Sequence, residues 1–234
     1  MFLINCDLGE RGKAHTIDDE LVKYIDMANI ACGGHAGNQE SVNYYVSLCQ
    51  ENDIKITAHI SYPDRENFGR KVIDISYADL LRSFDEQFAL FDGIFAIKPH
   101  GALYNQLNID DKLSQFFIEW CLKNNIKELV LSPFGIVAEY ARKANIKILA
   151  ESFIERGYML DKNNNPTLIP RGQINAEIHN VTDAIKQYKS LKEKILSINN
   201  QRIIFDSDTA CIHSDSDISL ELAKAIRLLE NADE

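Results

Sequence analysis

Short apolar runs alternate with longer segments of helical period along this chain of 234 residues. Each short run suits a buried strand and is too short for a helix. The pattern predicts strands at 2–6, 27–32, 54–58, 94–97, 128–131, 146–150 and 203–205. Seven strands that alternate with helices predict a parallel sheet with right-handed crossovers, either open and doubly wound or closed into a barrel. In both folds the ligand site lies at the carboxyl ends of the strands.

The clearest helix is predicted over 77–91, and another from about 215 to 230. Ser76 and Asp79 have the spacing of a capping box at the start of the first helix, and Gly93 suits its end. The apolar side chains of this helix form one stripe made of Tyr77, Leu81, Phe84, Phe88 and Phe91.

Residues 152–180 lack helical period and are predicted to form a long loop with a turn at 161–167 (DKNNNPT). No linker rich in proline, glycine or serine interrupts the chain. The hydrophobic content of 45% is enough for one sizeable core, so we expect a single domain over 1–234.

The balance of charge narrows the classes of partner. With 35 acidic against 25 basic residues the formal net charge is −10, and no basic patch is evident. We therefore expect neither nucleic-acid binding nor attraction to anionic membranes. No apolar run approaches the roughly 20 residues of a membrane span, and 1–6 (MFLINC) lacks the basic start of a signal peptide. Five cysteines without a CxxC pair indicate reduced thiols in a cytoplasmic protein.

Polar and ionisable side chains gather just past the predicted strands, where parallel strands would bring them to one face. They are Asp7, Glu10, His35, His59, Asp64, Arg65, Glu66, Arg70, Lys98, His100, Tyr104, Asn105, Glu151, Glu155, Arg156, Tyr158, Arg171, Asp206, Asp208, His213 and Asp215. A lone histidine in such a place is more often a core residue bonded to the backbone. Four histidines beside carboxylates instead favour a shared site of general bases or metal ligands. The arginines favour an anionic ligand.

The stretch NIACGGHAGN (29–38) raises three possibilities, namely a phosphate-binding loop, a metal site or a tight turn. No GxxxxGK[ST] occurs, and neither do GxGxxG, GxSxG or HExxH. The glycines suit a turn from a strand into a helix capped by Asn38, but they do not explain His35, which we expect to face a ligand. Cys211 stands two residues before His213, so on a strand the two would share a face, which would suggest a thiol nucleophile. A small buried residue is nevertheless the more common use of such a cysteine.

Seven motifs occur in order over nearly the whole chain, namely NCDLGE, ANIACGGHAGN, AHISYPDRENFGR, KPHGALYNQ, ERGY, IPR and CIHSD. They closely resemble the LamB/YcsF family, that of the bacterial 5-oxoprolinase A subunits. The resemblance implies a single-domain α/β fold, a (β/α) barrel of about seven parallel strands similar to glycoside hydrolase/deacetylase barrels. It also implies a cytoplasmic enzyme that works with subunits B and C. The reaction would be ATP-dependent hydrolysis of the lactam of 5-oxo-L-proline (pyroglutamate) to L-glutamate.

The resemblance also carries site residues to positions of this chain. The catalytic candidates are Asp7, Glu10, His59, Lys98 and His100. The candidates for binding substrate or phosphate are His35, Asp64, Arg65, Arg70, Asn105, Arg156, Tyr158, Arg171 and His213. We expect Asp7 or a strand-end histidine to be the general base, His100 to polarise or protonate, and Lys98 and Arg65 to bind phosphate or the substrate carboxylate. ATP, the co-substrate, would bind mainly on a partner subunit, or here without a P-loop.

The chain departs from the family pattern in three of these motifs. The usual GFG after DLGE is replaced by RGK at 11–13, Glu155 stands where the family has Asp, and Ser214 replaces the glycine before Asp215. If that glycine position requires a positive φ, a serine there would strain the turn.

Two alternatives to a 5-oxoprolinase function follow from the same residues. One is a metal-dependent hydrolase or deacetylase acting on amide bonds, with Asp7, His35 and His59 around a divalent ion. The other is a non-catalytic scaffold or a ligand-sensing subunit.

Overall fold

A closed barrel of seven parallel strands forms the centre of the computed structural model, which describes residues 2–199 and 201–233. The barrel strands are β1 (Leu3–Leu8), β2 (Met27–Ala31), β3 (Lys55–Ile60), β4 (Ala96–Pro99), β5 (Glu128–Leu131), β6 (Lys147–Phe153) and β11 (Thr209–His213). Each pairs with the next barrel strand along the chain, and β11 closes the barrel on β1. The expected (β/α) barrel of about seven strands is therefore confirmed.

Helices connect the strands and cover the outside of the barrel. They are α1 (Thr16–Leu21), α2 (Gln39–Glu51), α3 (Tyr77–Phe88), α4 (Gly101–Leu107), α5 (Asp111–Lys123), α6 (Ile136–Lys143), α7 (Val181–Lys192) and α8 (Ser219–Asp233). The Ser76 hydroxyl accepts the Asp79 N–H at 3.1 Å, and the Asn38 side chain accepts the Ser41 N–H at 2.9 Å. Both predicted helix starts are thus confirmed. Across residues 2–199 and 201–233, no helix has the length and apolar character needed to cross a membrane.

The prediction of a barrel strand at 203–205 is wrong. That apolar run overlaps β10 (Gln201–Ile204), which pairs antiparallel with β9 (Ile195–Ile198) in a hairpin outside the barrel. Ile203 packs on a small cluster there, while Ile204 is 80% exposed. The true seventh strand, β11, alternates polar and apolar residues, and this alternation hides it from a search for apolar runs.

The segment 152–180, predicted to be a loop, contains a second hairpin. β7 (Tyr158–Leu160) pairs antiparallel with β8 (Pro166–Leu168). The predicted turn lies between them, where the Asp161 carboxylate accepts the backbone N–H groups of Asn163 and Asn165, both at 2.8 Å. This hairpin projects from the carboxyl end of β6 and forms one wall of the cavity described below.

Residues of the barrel strands alternate between two environments. The outward side chains pack under the helices in one large core, which includes Ile4, Leu8, Ile30, Ile60, Ile97, Leu129 and Ile212. The strand register places the alternate residues on the inner face. Met27, Val130 and Leu149 fill part of that interior as an apolar plug.

Above this apolar plug the barrel interior is polar. The Asn5 amide donates to the Thr209 hydroxyl at 2.9 Å, and the Asn29 amide donates to Asn5 and to Asp7, both at 2.8 Å. The Thr57 hydroxyl donates to Asn29 Oδ1 at 2.6 Å. Because these buried groups satisfy one another, they form a rigid polar layer beneath the carboxyl ends of the strands.

A pair of glycine substitutions tests the turn after β2. Gly37 has φ +74°, and a Cβ there would lie 2.2 Å from the Ala31 carbonyl oxygen, whereas Gly93 has φ +72° and open space. We expect Gly93→Ala to lower the free energy of unfolding by about 1–2 kcal/mol through its backbone conformation. Gly37→Ala should lower the free energy of unfolding by roughly 1–3 kcal/mol more than Gly93→Ala, because the end of β2 must move to make room. Urea denaturation measures both, and equal losses would contradict the packing described here.

Candidate active site

Five of the polar strand-end residues lie on the strands themselves rather than beyond them. Asp7, His59, Lys98 and His213 occupy the last two residues of β1, β3, β4 and β11, and Glu151 lies within β6. Period-two alternation turns all five side chains toward the barrel interior. The strands thus present them on rigid backbone at one mouth of the barrel.

Lys98 is 2% exposed and lies at the centre of this group. Its ammonium is 2.8 Å from Asp7 Oδ1 and 2.8 Å from Glu151 Oε1. It also contacts Asn5 Oδ1 at 3.2 Å and the Cys211 sulfur at 3.1 Å. An ammonium has three N–H donors, and these four acceptors surround it. Lys98 therefore contributes positive charge to the site rather than an unused hydrogen bond.

The charges of this group fix its protonation. Burial would lower the pKa of Lys98, but Asp7, Cys211 and Glu151 outweigh burial and raise that pKa well above its usual value. Burial would likewise raise the pKa of Asp7, yet the charges of His59 and Lys98 hold it well below its usual value. At neutral pH the site thus contains an ammonium and an ionised Asp7 in close contact.

His59 and His100 meet at 3.0 Å, Nε2 to Nδ1. The other nitrogen of each ring faces a backbone carbonyl, because His59 Nδ1 lies 3.0 Å from the Lys98 oxygen and His100 Nε2 lies 2.9 Å from the Phe68 oxygen. His59 Nε2 is also 3.3 Å from Asp7 Oδ2. His59 therefore connects the lysine group to a second cluster.

Glu10 and His35 complete that second cluster. The His35 ring stacks on His100 with centroids 3.7 Å apart, and its Nε2 lies 3.1 Å from Glu10 Oε1. Burial lowers the pKa of His35 and of His100 and raises that of Glu10. Gly69 covers the cluster, since a Cβ at its φ of +62° would lie 2.9 Å from His35 Cβ. The glycine of DRENFGR thus lets the backbone exclude solvent here.

The structure groups the possible metal ligands differently from the expected set of Asp7, His35 and His59. Among the residues described, donor atoms of Glu10, His35, His59 and His100 lie within 4.8 Å of one another. Asp7 instead forms such a group with Cys211 and His213 and binds Lys98. His35 and His59 are common to both sets, while Glu10 and His100 join them in place of Asp7.

His213 is held by Glu155 on the other side of the mouth. Glu155 Oε1 lies 2.9 Å from His213 Nδ1 and accepts the His213 backbone N–H at 2.6 Å. The carboxylate favours hydrogen on Nδ1, which leaves Nε2 for a ligand. Glu155 thus occupies the place of the family's usual Asp and fixes the histidine. The strain considered for Ser214 is absent, since Ser214 is not among the residues with positive φ.

A cavity of about 560 Å³ opens above these groups. Asp7, His59, Lys98, His100 and His213 line its inner part. An apolar wall is formed by Phe153, Leu168, Ile169 and Pro170, and the outer lining includes Arg70, Asn105, Arg156 and Arg171. The volume and the few convergent polar groups are typical of a small-molecule site.

The three arginines at the cavity are already oriented by the protein. Arg70 pairs with Asp215 at 2.6 Å, and Arg171 pairs with Glu177. Arg156 donates to the carbonyl oxygens of Ala176 and Ile169 and is 6% exposed; burial, with Arg171, lowers its pKa to about 10. It remains charged at neutral pH, and its contacts use two of its five N–H donors. An anion in the cavity can therefore bind the remaining donors.

Some predicted site residues do not line this cavity. Arg65 donates to the carbonyl oxygens of Gly33 and Gly37 and so ties two loops together. Asp64 accepts the Asn67 backbone N–H at 3.2 Å within its own loop. The Tyr158 hydroxyl accepts the Phe153 N–H at 2.7 Å and lies at a smaller neighbouring cavity. Glu10 and His35 lie behind His100 and not on the cavity wall.

Several residues of the site are not identified by the sequence patterns. Glu151 and Glu155 are among the polar strand-end groups, but neither stands among the predicted catalytic or binding residues. The layer of Asn5, Asn29 and Thr57 is missed entirely, because a polar residue inside an apolar run looks like an interruption. The signal that finds it is a polar period of two, as in Asn5–Asp7 and Thr57–His59.

Comparisons with known proteins agree with the fold and the motifs. The sequence model of the LamB/YcsF family matches residues 3–233. The chain is 32% identical to the 5-oxoprolinase A subunit of Haemophilus influenzae (strain PittEE), covering 95% of this chain and 93% of that protein. It is 33% identical to the corresponding A subunit of Pyrococcus horikoshii, covering 96% and 91%. The crystal structure of a lactam utilization protein from Thermus thermophilus superposes with a TM-score of 0.82 at 27% identity, covering 99% and 97%.

Thiol reactivity tests whether Cys211 is a nucleophile. All five cysteines are buried, and burial raises the pKa of each thiol; for Cys211 burial and Asp7 outweigh the opposite effect of Lys98. We expect no thiol of the native protein to react with Ellman's reagent near pH 8, and all five to react in denaturant. A fast-reacting thiol that disappears in Cys211→Ala would instead make Cys211 a candidate nucleophile.

Proposed function

The chain belongs to the LamB/YcsF family, and from this premise we propose that it is the A subunit of an ATP-dependent 5-oxoprolinase. With subunits B and C it would hydrolyse the lactam of 5-oxo-L-proline to L-glutamate. The names of its relatives and of the superposed lactam utilization protein support this proposal. A requirement for ATP and buried thiols without disulfide bonds both fit a cytoplasmic protein.

One observation carries the proposal, namely the contrast between the floor and the rim of the cavity. The floor holds the buried charge of Lys98 opposite a carboxylate-oriented histidine, His213, and the rim carries arginines with unused donors. Hydrolysis of a small anionic amide needs these elements: a basic group for water, positive charge for the developing negative oxygen, and an anion-binding group.

5-Oxo-L-proline fits the cavity by its chemistry. Its carboxylate would bind guanidinium donors of Arg156 and its neighbours at the rim. Its five-membered ring would pack on the wall that contains Phe153 and Leu168. The lactam carbonyl would then point toward the cationic floor. The cavity of about 560 Å³ leaves room beyond this small ring for a phosphoryl group.

An unstrained lactam is a poor electrophile, and this explains a need for ATP. Transfer of the γ-phosphoryl group to the carbonyl oxygen would make that oxygen part of a phosphate leaving group and release ADP. Water would then attack the activated carbon, and the C–N bond would break in the resulting tetrahedral intermediate, which frees the amine and leaves an acyl phosphate. A second water molecule would hydrolyse this acyl phosphate to the γ-carboxylate of glutamate and inorganic phosphate. The chain has no P-loop, so we assign the binding of ATP mainly to a partner subunit.

We assign the general base to His213 rather than to Asp7. Asp7 is ionised, but its Oδ1 already accepts from Lys98 and Asn29, and its Oδ2 lies 3.3 Å from His59 Nε2. His213 has its Nδ1 held by Glu155 and keeps Nε2 for a water molecule in the cavity. In this assignment Asp7 and Glu151 are positioning residues, because they hold the ammonium and act on the substrate through it.

Reconstitution tests the proposed function. The chain is combined with its candidate B and C subunits, and glutamate and ADP are measured with and without 5-oxo-L-proline. We expect glutamate formation that depends on ATP and on all three chains. Asp7→Asn should lower turnover by about 100-fold or more through loss of the preorganised field, as should His59→Ala, whereas Asp92→Asn on an exposed turn should not.

The other outcomes of this experiment separate the competing functions. Amide hydrolysis by the chain without ATP would support a metal-dependent hydrolase instead. Binding of 5-oxo-L-proline without turnover under any combination of subunits would support a sensor or scaffold. Size-exclusion chromatography of each variant with its partners confirms that lost turnover is not lost assembly.

Substitution of His213 tests the assignment of the base. His213→Asn removes the basic nitrogen, and we expect kcat to fall by about 100- to 10,000-fold with little change in KM. The matched control is His15→Asn at the start of α1, which should retain activity. Glu155→Asp should keep most activity because a carboxylate still faces Nδ1. Full activity of His213→Asn in an assembled complex would rule out this assignment.

A further inference from the structure

The contact between His59 and His100 lacks a hydrogen atom if both rings are neutral. The carbonyl oxygens of Lys98 and Phe68 accept only from an N–H, so they place the single ring hydrogen of His59 on Nδ1 and that of His100 on Nε2. The two remaining nitrogens then face each other at 3.0 Å with bare lone pairs. Such an arrangement is repulsive unless a cation lies between or beside them.

Two more groups that can donate a lone pair to a cation, the Glu10 carboxylate and the His35 ring, converge on the same point from other segments of the chain. Glu10 Oε1, from the loop after β1, is 3.6 Å from His100 Nδ1. It is also 3.1 Å from Nε2 of His35, which follows β2. The side chains of Glu10 and His35 are 4% and 0% exposed. A positive charge among these buried groups would satisfy all of them at once.

We propose that Glu10, His35, His59 and His100 form a binding site for one divalent transition-metal ion of the Zn²⁺ class. Three imidazoles with one carboxylate are a donor set that suits zinc and similar first-row ions, whereas Mg²⁺ and Ca²⁺ prefer oxygen ligands. The proposal concerns ion binding alone and does not rest on the proposed function. It also differs from the Asp7, His35 and His59 set that the sequence suggested.

The surroundings of the cluster are those of a metal site. Metal-bound histidines generally donate their second N–H to a carbonyl or carboxylate, and His59 and His100 both do so. His35 lacks such a partner, since its Nδ1 contacts no acceptor among the described residues. We therefore treat Glu10, His59 and His100 as the principal ligands and His35 as the fourth.

The site would be open on one side only. His59 and His100 line the large cavity, while Glu10 and His35 lie behind them under the Gly69 backbone. A ligand in the cavity would thus reach an ion between the two histidines from that side. Such an ion would polarise a carbonyl oxygen as a Lewis acid. Lys98, whose N–H donors already face Asp7 and Glu151, offers that oxygen only its positive charge.

Metal binding is tested on the full chain carrying no polyhistidine tag. The protein is stripped with a chelator, titrated with Zn²⁺, and analysed for bound zinc by mass spectrometry. We expect about one ion per chain, and loss of thermal stability when a chelator is added back. Glu10→Gln and His100→Asn should each weaken binding by at least about 100-fold, since even outer partners of metal ligands contribute 10- to 100-fold.

The controls separate a specific site from surface binding and from misfolding. His179→Asn removes an exposed histidine and should leave zinc affinity unchanged. His100 is the N-cap residue of α4, where asparagine is well tolerated, so His100→Asn should remain folded by circular dichroism. Co²⁺ bound to the wild type should show visible d–d bands that Glu10→Gln alters.

Two results would overturn the proposal. One is wild-type protein that binds no stoichiometric zinc or cobalt, which would leave a proton shared by His59 and His100 as the cation. The other is zinc affinity that is the same in folded Glu10→Gln and His100→Asn as in the wild type. Neither result depends on turnover of 5-oxo-L-proline, so failure here is distinguishable from failure of the proposed function.

Discussion

A buried ammonium held between two carboxylates is the interaction on which the rest of this structure depends. Lys98 on β4 contacts Asp7 on β1 and Glu151 on β6, and these strands are not neighbours in the barrel. Removing such charges from water costs several kcal/mol per ion, and close partners only roughly offset that cost. Apolar residues of similar volume would often be as stable. Stability alone therefore does not account for the charges, whereas the field they create at the base of the cavity does.

Lys98, Asp7 and Glu151, together called the lysine cage, constrain the barrel in a way that loops could not. Its members lie at the ends of parallel strands, over a layer in which Asn5, Asn29 and Thr57 satisfy one another. A one-residue shift of any of these strands would turn its polar side chains into the outer apolar core. The polar interior and the apolar exterior thus specify the same register independently. The arginine-bearing loops, tied by pairs such as Arg70–Asp215, can vary around this fixed centre.

The sequence allows the barrel and most of the site to be predicted, and the errors share one cause. Local patterns carry the period of an element but not which strands become neighbours. Local patterns therefore favour the apolar run 203–205 as the seventh strand over β11, in which polar and apolar residues alternate. Arg65 is grouped with cavity residues because it follows a strand, yet it binds the carbonyl oxygens of Gly33 and Gly37. Glu151 is passed over, since nothing in its own neighbourhood shows that Lys98 lies across the barrel.

Asp7 is the residue through which the two halves of the site act on each other. One of its oxygens accepts from Lys98 at 2.8 Å, and the other lies 3.3 Å from His59 Nε2. Its single negative charge is therefore shared between a permanent cation and the histidine cluster. Positive charge gained by that cluster, from a proton or an ion, would weaken the hold of Asp7 on Lys98 and leave more of the ammonium's charge to the cavity. The cage and the cluster are in this sense one electrostatic unit, with Asp7 at their junction.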